Sequence, residues 1–280
     1  CIRCVEVLFD APFFIFFYFK MRYYLELVKY IFQSKYRKGF GVHSPSVFRL
    51  VTLVIEEDLP YYKFSLVEKV RSLTKNKLRG ILRDNEDESL RQLTQSPIQK
   101  CLYTYDYEQL LFRLVNYYKP DAILEIGLAT GFSTMYLAAP NSKATVTTIS
   151  DSALLEEFSN SNFKSAGIEN VEFAIGDIYS QFCTLMKTMS RVKFISINCR
   201  MLSIGLVPFY DDIDRVFKGE GGVLVWNEPY WTDAHRKDLK KISSHTNARV
   251  VIDLFHVVIV LFDKNLQKEY YKLRYFTFLR

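Results

Sequence analysis

Cysteine is scarce and irregularly placed in this chain. The 280 residues contain five cysteines, an odd number, and only Cys1 and Cys4 are closely spaced. No second Cys/His pair accompanies them, so the pattern predicts neither a disulfide framework nor a zinc site. Because proteins without disulfides are typical of reducing compartments, we predict that the protein is cytoplasmic.

The chain also lacks internal repeats, low-complexity linkers and apolar runs of membrane-spanning length. Residues 11–19 are very apolar, but this run is too short to cross a bilayer, and neither a basic start nor a cleavage site marks a signal peptide. We interpret residues 1–20 as an apolar extension read from upstream sequence before a start at Met21. A membrane-surface anchor and a Cys-acylated terminus are the alternatives.

Positive charge is in modest excess and is concentrated towards the N-terminus. The net charge is +6, and residues 20–100 contain sixteen Lys/Arg against nine Asp/Glu. Such a region attracts anionic ligands, nucleic acid or membranes, although a solvated helical surface gives the same count, and we favour that surface. No RNA-binding motif and no Asn/Asp-Pro-Pro-aromatic signature is found, so nucleic acid is not a predicted partner. A membrane is not the predicted partner either, because the apolar run is short.

The N-terminal third of the chain has a helical pattern. Ser44 and Pro45 are typical of a helix start, with Ser44 as the N-cap and proline in the first turn. A polar stretch at Arg83–Ser96 then indicates a domain boundary. The predicted units are an apolar extension (1–20), a helical cap (21–100) and the main domain (101–280).

Aromatic residues make up 16% of the chain and are prominent in and after this helical region. They either line a pocket for an acceptor molecule or form the packing surface of the helices, and we favour packing. The residues concerned are Tyr61, Tyr62, Phe64, Tyr103, Tyr105 and Tyr107.

The rest of the chain, after a helix predicted at Tyr105–Tyr118, alternates short apolar runs with helical segments. The predicted strands are Ala122–Ile126, Thr145–Ile149, Val171–Ile175, Val192–Ile197 and Gly222–Trp226. This alternation predicts an α/β fold with a mostly parallel, doubly wound sheet covered on both faces. Two further runs, Arg249–Leu254 and Val257–Phe262, indicate an antiparallel pair at the sheet edge, and Tyr270–Phe276 is another strand or an edge extension.

A glycine-containing loop follows the first predicted strand. Residues 125–133 read E-I-G-L-A-T-G-F-S, and Gly127 and Gly131 permit a tight turn and a close approach to a ligand. The loop lacks the middle glycine of a dinucleotide fingerprint and the G-K-[ST] ending of a triphosphate-binding loop. It therefore favours a cofactor that has a nucleoside and no phosphate.

Two acidic residues follow the next two predicted strands. Asp151 comes twenty-four residues after Gly127, a spacing that suits a carboxylate accepting from ribose hydroxyls. Asp177 follows the third strand, where a carboxylate can accept from an adenine amino group. Either residue alone is often just a helix cap. Their order on successive strand ends favours the ligand interpretation.

At these positions the sequence resembles the class I S-adenosylmethionine-dependent methyltransferases. The loop at 125–131 is similar to their first motif, Asp177 to their adenine-contacting acid, and residues 165–172 (S-A-G-I-E-N-V-E) to a helix-to-strand passage of the catechol O-methyltransferase-like branch. Residues 41–45 (G-V-H-S-P) resemble a phrase of bacterial methyltransferases with unassigned substrates. The similarity extends over residues 105–262.

The resemblance implies a Rossmann-like sheet of seven strands, mostly parallel with an antiparallel last strand, preceded by the helical cap. It also implies S-adenosylmethionine as the cofactor. The implied cofactor-binding residues are Glu125, Gly127, Ala129, Gly131, Ser133, Ser150, Asp151, Asp177 and Ile178.

The chain departs from this family at the ribose and metal positions. Relatives end the second strand with an acid, where this chain has Ser150, so either its hydroxyl or Asp151 contacts the ribose. Metal-dependent relatives carry an Asp at the end of the fourth strand and an Asp-Asn or Asp-Asp pair after the fifth, where this chain has Asn198 and the pair Asn227-Glu228. One carboxylate and two amides are a poor ligand set for a divalent cation, and we predict no metal.

The implied activity is methylation of an oxygen atom on a small-molecule acceptor, without a metal or with a degenerate metal site. Asn198, Asn227 and Glu228 are candidates for contact with the acceptor, without an assigned catalytic role. The four histidines are possible bases, although His256, in an apolar run, is more typical of a structural residue. The alternative is a non-catalytic cofactor-binding or protein-interaction module that retains the fold. No oligomeric state is predicted.

Overall fold

The computed structural model describes residues 12–34, 39–84, 105–189, 192–198 and 207–275. Several sequence predictions lie outside these ranges. They concern the Cys1/Cys4 spacing, the start of the apolar extension, most of the polar boundary at 83–96, Tyr103 and Cys199.

Nine α-helices and one π-helix are present in the described ranges. Four α-helices precede the sheet: α1 (Pro12–Gln33), α2 (Pro45–Leu50), which continues into the π-helix Val51–Ile55, α3 (Tyr62–Asp84) and α4 (Tyr105–Tyr118). Five alternate with the strands: α5 (Phe132–Ala138), α6 (Ala153–Ala166), α7 (Ile178–Thr188), α8 (Val207–Glu220) and α9 (Asp233–Ser244).

Several helix ends have a clear local cause in the sequence. Ser44 and Pro45 begin α2 as expected, although Ser44 makes no side-chain capping bond. Ser152 caps α6 by accepting a hydrogen bond from the Leu155 backbone N–H at 3.3 Å. The same helix ends at Gly167, whose φ of 63° lies in the left-handed region that glycine adopts without strain.

Eight strands form one mixed sheet in the described chain. They are β1 (Ala122–Ile126), β2 (Thr145–Ser150), β3 (Val171–Ile175), β4 (Val192–Asn198), β5 (Val223–Asn227), β6 (Val250–Asp253), β7 (Val257–Leu261) and β8 (Glu269–Lys272). Their order is β3-β2-β1-β4-β5-β7-β6-β8. Strand β7 is antiparallel to both neighbours, β5 and β6, whereas every other pairing is parallel.

Helices cover both faces of the sheet, which explains the continuous apolar runs of its central strands. Every residue of β5 and β7 is buried. On one face Trp226 packs in a core with Phe182 of α7 and Phe209 of α8. On the other face Val225 packs in a second core with Leu111 of α4. Adjacent residues of one strand thus enter opposite cores, as strand geometry requires.

The helices before the sheet pack at different places on the main domain. In α1, Tyr30 is 2% exposed, and its hydroxyl proton is shared between the Asp253 carbonyl at 2.5 Å and the Leu273 carbonyl at 2.8 Å. This joins α1 to β6 and to the residue after β8. Helix α3 lies elsewhere, packed on α5 and α6. No described helix has the length and apolarity needed to cross a membrane.

The predicted α/β architecture is confirmed, including the antiparallel pair, and observed strand ends differ from the predicted ones by one residue or less for β1 to β5. The sheet has eight described strands where seven were expected, because the last alternating stretch adds β8 beside β6. The predicted edge position of the antiparallel pair is therefore wrong, because β8 pairs with β6 and is the edge strand of the described sheet. The boundaries of the three sequence units stay predictions.

Two of the aromatic residues near the start of α3, Tyr61 and Phe64, pack as the favoured interpretation predicts, whereas Tyr62 is 77% exposed and contradicts it. The Tyr61 ring centroid lies 4.8 Å from that of Phe112, and the Phe64 centroid lies 5.0 Å from it. Tyr107 is buried and its hydroxyl is 3.1 Å from Ser196 Oγ.

Candidate functional site

The carboxyl ends of the parallel strands form a continuous row along one edge of the sheet. Ser150 pairs with Ile175 across β2 and β3, and Ile126 pairs with Ile149 and with Ile197 across β1, β2 and β4. Asn198 pairs with Asn227, which in turn pairs with Val257 at the start of β7. The candidate residues that follow these strands therefore lie along the same edge, where doubly wound folds bind ligands.

Both glycines of the loop after β1 are required by its conformation. Gly127 has φ 97° and its N–H donates to the Ile149 carbonyl at 3.2 Å, which turns the chain back over β2. Gly131 has φ 81°, and a Cβ there would lie 2.7 Å from Phe163 Cε1 and 2.9 Å from Ser159 Cβ. Any side chain at Gly131 would separate the loop from α6.

Side chains of α6 and α3 fix the loop from behind. Ser159 Oγ donates to the Ala129 carbonyl at 3.3 Å, and Asn162 Nδ2 donates to the Thr130 carbonyl at 3.1 Å. Thr74 of α3 donates to Asn162 Oδ1 at 3.0 Å. Helix α3 thus supports the loop indirectly, a role that no sequence motif indicated.

Glu125 lies beneath the loop with its carboxylate fully engaged in internal hydrogen bonds. It is 1% exposed and accepts from Ser133 Oγ at 2.5 Å, from Thr148 Oγ1 at 2.9 Å and from Thr134 Oγ1. Burial raises the pKa of Glu125 above its ordinary value, and the three hydroxyl donors oppose that shift. Glu125 and Ser133 therefore hold the loop against β1 and α5.

The two residues proposed for the ribose differ in their environment. Ser150 is 2% exposed, and its Oγ accepts from the Ser152 backbone N–H at 3.1 Å. Asp151 is exposed at the end of β2. The Ser150 hydroxyl thus stabilises the turn into α6, while the neighbouring carboxylate faces solvent.

Asp177 caps α7, as one interpretation of the sequence allowed. Its Oδ1 accepts from the Ser180 N–H at 2.8 Å and from Ser180 Oγ at 2.6 Å, and these bonds hold the pKa of Asp177 below its ordinary value. The side chain is exposed at the strand-end edge, and Ile178 follows as the first residue of α7. Capping engages Oδ1 and is compatible with further contacts at the other carboxylate oxygen.

The three acceptor-side candidates are buried at the ends of β4 and β5. Asn198 and Asn227 are each 5% exposed and are paired across the two strands. Glu228 is 3% exposed and has φ 58°, which is uncommon for a residue other than glycine. No group of three or more His, Cys, Asp or Glu side chains within the described ranges is arranged to hold a metal ion.

A cluster of Tyr23, Glu228 and His256 stands at the same edge. Tyr23 on α1 donates its hydroxyl to Glu228 Oε2 at 3.0 Å and lies 2.8 Å from His256 Nδ1. Sequence reasoning missed this cluster because Tyr23 is 205 residues from Glu228 and 233 from His256. Only the order of strands indicates that Glu228 and His256 are neighbours.

The fold is similar to that of solved methyltransferase structures. An O-methyltransferase from Bacillus cereus in complex with SAH has 19% sequence identity, covering 78% of this chain and 97% of that chain, with a TM-score of 0.50. A putative caffeoyl-CoA O-methyltransferase from Staphylococcus aureus has 15% identity over 68% of this chain and 100% of that chain, with a TM-score of 0.48. No family model and no curated protein sequence matches the chain. The strand order and the Bacillus cereus structure together show a class I methyltransferase fold.

Proposed function

We propose that this protein is an S-adenosylmethionine-dependent methyltransferase that methylates an oxygen atom of a small molecule without a metal ion. The observation that carries this proposal is the sheet order with antiparallel β7 and the glycine loop at the carboxyl end of β1. The O-methyltransferase from Bacillus cereus, in complex with SAH, shares this fold.

The chemistry of the loop and its surroundings fits this cofactor. The Thr130 hydroxyl oxygen is buried and has no hydrogen-bond partner among the described residues. Because unsatisfied buried polar atoms are costly, a ligand that bonds to Thr130 would stabilise the loop. Among the candidate residues near the ends of β2 and β3, Asp151 and Asp177 are carboxylates and none is a cation. Such a set suits a cationic ligand with hydroxyl and amino donors better than it suits a phosphate.

Each candidate residue has a proposed role in holding the cofactor. Glu125 and Ser133 keep the loop in place, and Gly127, Ala129 and Gly131 allow the backbone to approach the ligand. Asp151 and Ser150 contact the ribose, with Asp151 as the principal acceptor because the Ser150 hydroxyl already serves the turn. Asp177 and Ile178 contact the adenine. When bound, the cofactor supplies an activated methyl group to an acceptor positioned near Asn198 and Asn227.

The place of action and the partner follow from the same sequence features. We propose a cytoplasmic protein, as the cysteine pattern suggests, whose partner is a small-molecule acceptor rather than nucleic acid. The acceptor lies above β4 and β5, where Asn198 and Asn227 offer amide donors and acceptors.

Thermal denaturation with S-adenosylmethionine or S-adenosylhomocysteine tests cofactor binding. We expect both ligands to raise the Tm of the wild-type protein by mass action. Asp177→Asn keeps a good N-cap residue but removes the charge, so it should weaken the ligand-induced shift, measured from the Tm of each protein without ligand. Glu157→Gln, on the exposed face of α6, is the matched control. No stabilisation of the wild type by either ligand would overturn the proposal.

Transfer is tested separately from binding. The protein is incubated with methyl-labelled cofactor and a metabolite extract, with and without a chelator. We expect label in small molecules at the same rate in both samples. Loss of transfer in the chelator would contradict the metal-independent mechanism, and binding without transfer would favour the non-catalytic module.

A further inference from the structure

The cluster of Tyr23, Glu228 and His256 joins three parts of the fold at the acceptor side of the edge. Tyr23 comes from α1, Glu228 follows β5, and His256 precedes β7. The Glu228 N–H donates to the His256 carbonyl at 2.7 Å, so the two backbones are directly bonded. The sheet therefore fixes the positions of Glu228 and His256 relative to each other, and α1 places Tyr23 against both of them.

The burial of Glu228 determines which way the Tyr23 hydroxyl points. The Glu228 side chain is 4% exposed, and a buried carboxylate is costly without hydrogen-bond donors. Its Oε2 lies 3.0 Å from the Tyr23 hydroxyl, whereas its Oε1 is 3.6 Å from His256 Nδ1, beyond hydrogen-bond distance. The Tyr23 proton is consequently directed at Glu228.

This orientation fixes the tautomer of the imidazole. Because the hydroxyl proton of Tyr23 points to Glu228, the Tyr23 oxygen presents a lone pair to His256 Nδ1, which is 2.8 Å away. That nitrogen must then donate, and a neutral ring carries its lone pair on Nε2. The Glu228 carboxylate thus orients the His256 ring through the Tyr23 hydroxyl. In catalytic sites with a nucleophile and a base, a third group orients the base in the same way.

The ring is also held in place by its neighbours while part of it stays accessible. The Phe255 ring centroid lies 5.1 Å from that of His256 and 5.2 Å from that of Tyr23. The His256 side chain is 34% exposed. Glu228 has a left-handed backbone with φ 58°, a conformation that residues other than glycine retain where the surroundings enforce it, often at functional sites.

We propose that His256 is the general base of the methyl transfer, with Tyr23 and Glu228 as its positioning residues. This inference rests on the proposed function. As the acceptor oxygen bonds to the methyl carbon, its O–H bond breaks and the proton goes to His256 Nε2. The electron pair of the broken carbon–sulfur bond stays on sulfur, which becomes a neutral thioether, and the positive charge passes to the imidazolium.

The tautomer is measurable without any acceptor. In protein labelled with ¹⁵N-histidine, four ring systems give long-range ¹H–¹⁵N correlations. His256→Gln assigns the ring by removing one of them. At a pH where the ring is neutral, we expect the proton on Nδ1, and Tyr23→Phe should shift the Nδ1 resonance because that nitrogen loses its nearest acceptor. Tyr24→Phe, the 53% exposed neighbour on the same helix, is the control. An Nε2-protonated ring in the wild type would overturn the inference.

Turnover provides the second test, with the metabolite extract as acceptor mixture. General bases contribute roughly a hundredfold or more, so His256→Gln should lose at least that factor in label transfer. The stabilisation by S-adenosylhomocysteine should stay as in the wild type, and His245→Gln should transfer at the wild-type rate. Full transfer by His256→Gln would refute this inference alone, whereas failure of the wild type to bind S-adenosylhomocysteine would refute the proposed function.

Discussion

Gly131 has surroundings that only glycine accommodates. Its φ is 81°, and a Cβ would meet both Phe163 and Ser159 closer than 3.0 Å. We expect Gly131→Ala to lower the free energy of unfolding by about 2–4 kcal/mol, from backbone strain and overpacking. Urea denaturation measures this. Gly80→Ala is the control, because nothing lies within 4 Å of a Cβ there and α3 would gain helix propensity. Equal effects of the two substitutions would contradict this account of the loop.

Glu108 gives the stability a pH dependence at the residue scale. It is 2% exposed and paired with Arg71, and burial raises the pKa of Glu108 to about 7 against the lowering effect of Arg71. A carboxyl with a raised pKa binds its proton more tightly in the folded state. Its contribution to stability is therefore present below the unfolded pKa and is lost as pH rises to about 7.

Comparison with Glu108→Gln isolates this contribution from those of other carboxyls. Between pH 4.5 and 7.5 the wild type should lose on the order of 2–3 kcal/mol of unfolding free energy more than the variant does. Urea titrations at several pH values measure the difference. A wild type that gains stability relative to Glu108→Gln over this range would show that the pairing with Arg71 outweighs burial.

At the scale of single elements, α6 depends on its N-cap residue. Ser152 accepts from the Leu155 N–H, and Ser152→Ala should cost about 1 kcal/mol of unfolding free energy. Ser165→Ala, on the exposed surface of the same helix, should be neutral within about 0.5 kcal/mol. Thermal denaturation of both variants checks this. A Ser165 variant as unstable as the Ser152 variant would exclude capping as the cause.

Helix α1 is held to the sheet by Tyr30. Removing the hydroxyl in Tyr30→Phe deletes bonds to the Asp253 and Leu273 carbonyls, and we expect a loss of about 1–2 kcal/mol. Amide hydrogen exchange should increase in α1 more than in the central strands, because local opening governs exchange there. Tyr24→Phe is the exposed control. Uniform loss of protection across the molecule would mean that α1 does not open independently.

The individual elements were largely predictable, and the reason is their burial. Strands β5 and β7 are enclosed on both faces, so their apolar runs mark them clearly in the sequence. The sequence did not decide whether β8 is a separate strand, because few residues there are buried. Within 269–275 only Tyr271 and Leu273 are buried. Its parallel register beside β6 depends on a tertiary pairing that no local pattern encodes.

The whole molecule was less predictable than its elements. No local pattern indicated where the helices before the sheet would pack: α1 joins β6 and the residue after β8, and α3 supports the glycine loop through Thr74 and Asn162. The candidate cofactor residues lie at or after the ends of β1, β2 and β3, so the strand pattern of the sequence indicated where they are. No such pattern connects Tyr23, Glu228 and His256, because Tyr23 on α1 is far from the other two residues in the sequence.

We propose that the strand-end edge of the molecule binds an adenosyl cofactor without phosphates. Titration calorimetry of the wild-type protein with S-adenosylhomocysteine, and with ATP and NAD⁺ as matched adenine ligands, measures this binding. We expect saturable one-to-one binding of S-adenosylhomocysteine and no binding of the two phosphate-bearing ligands. Binding of ATP or NAD⁺ in place of S-adenosylhomocysteine, or binding of none of the three, would contradict it.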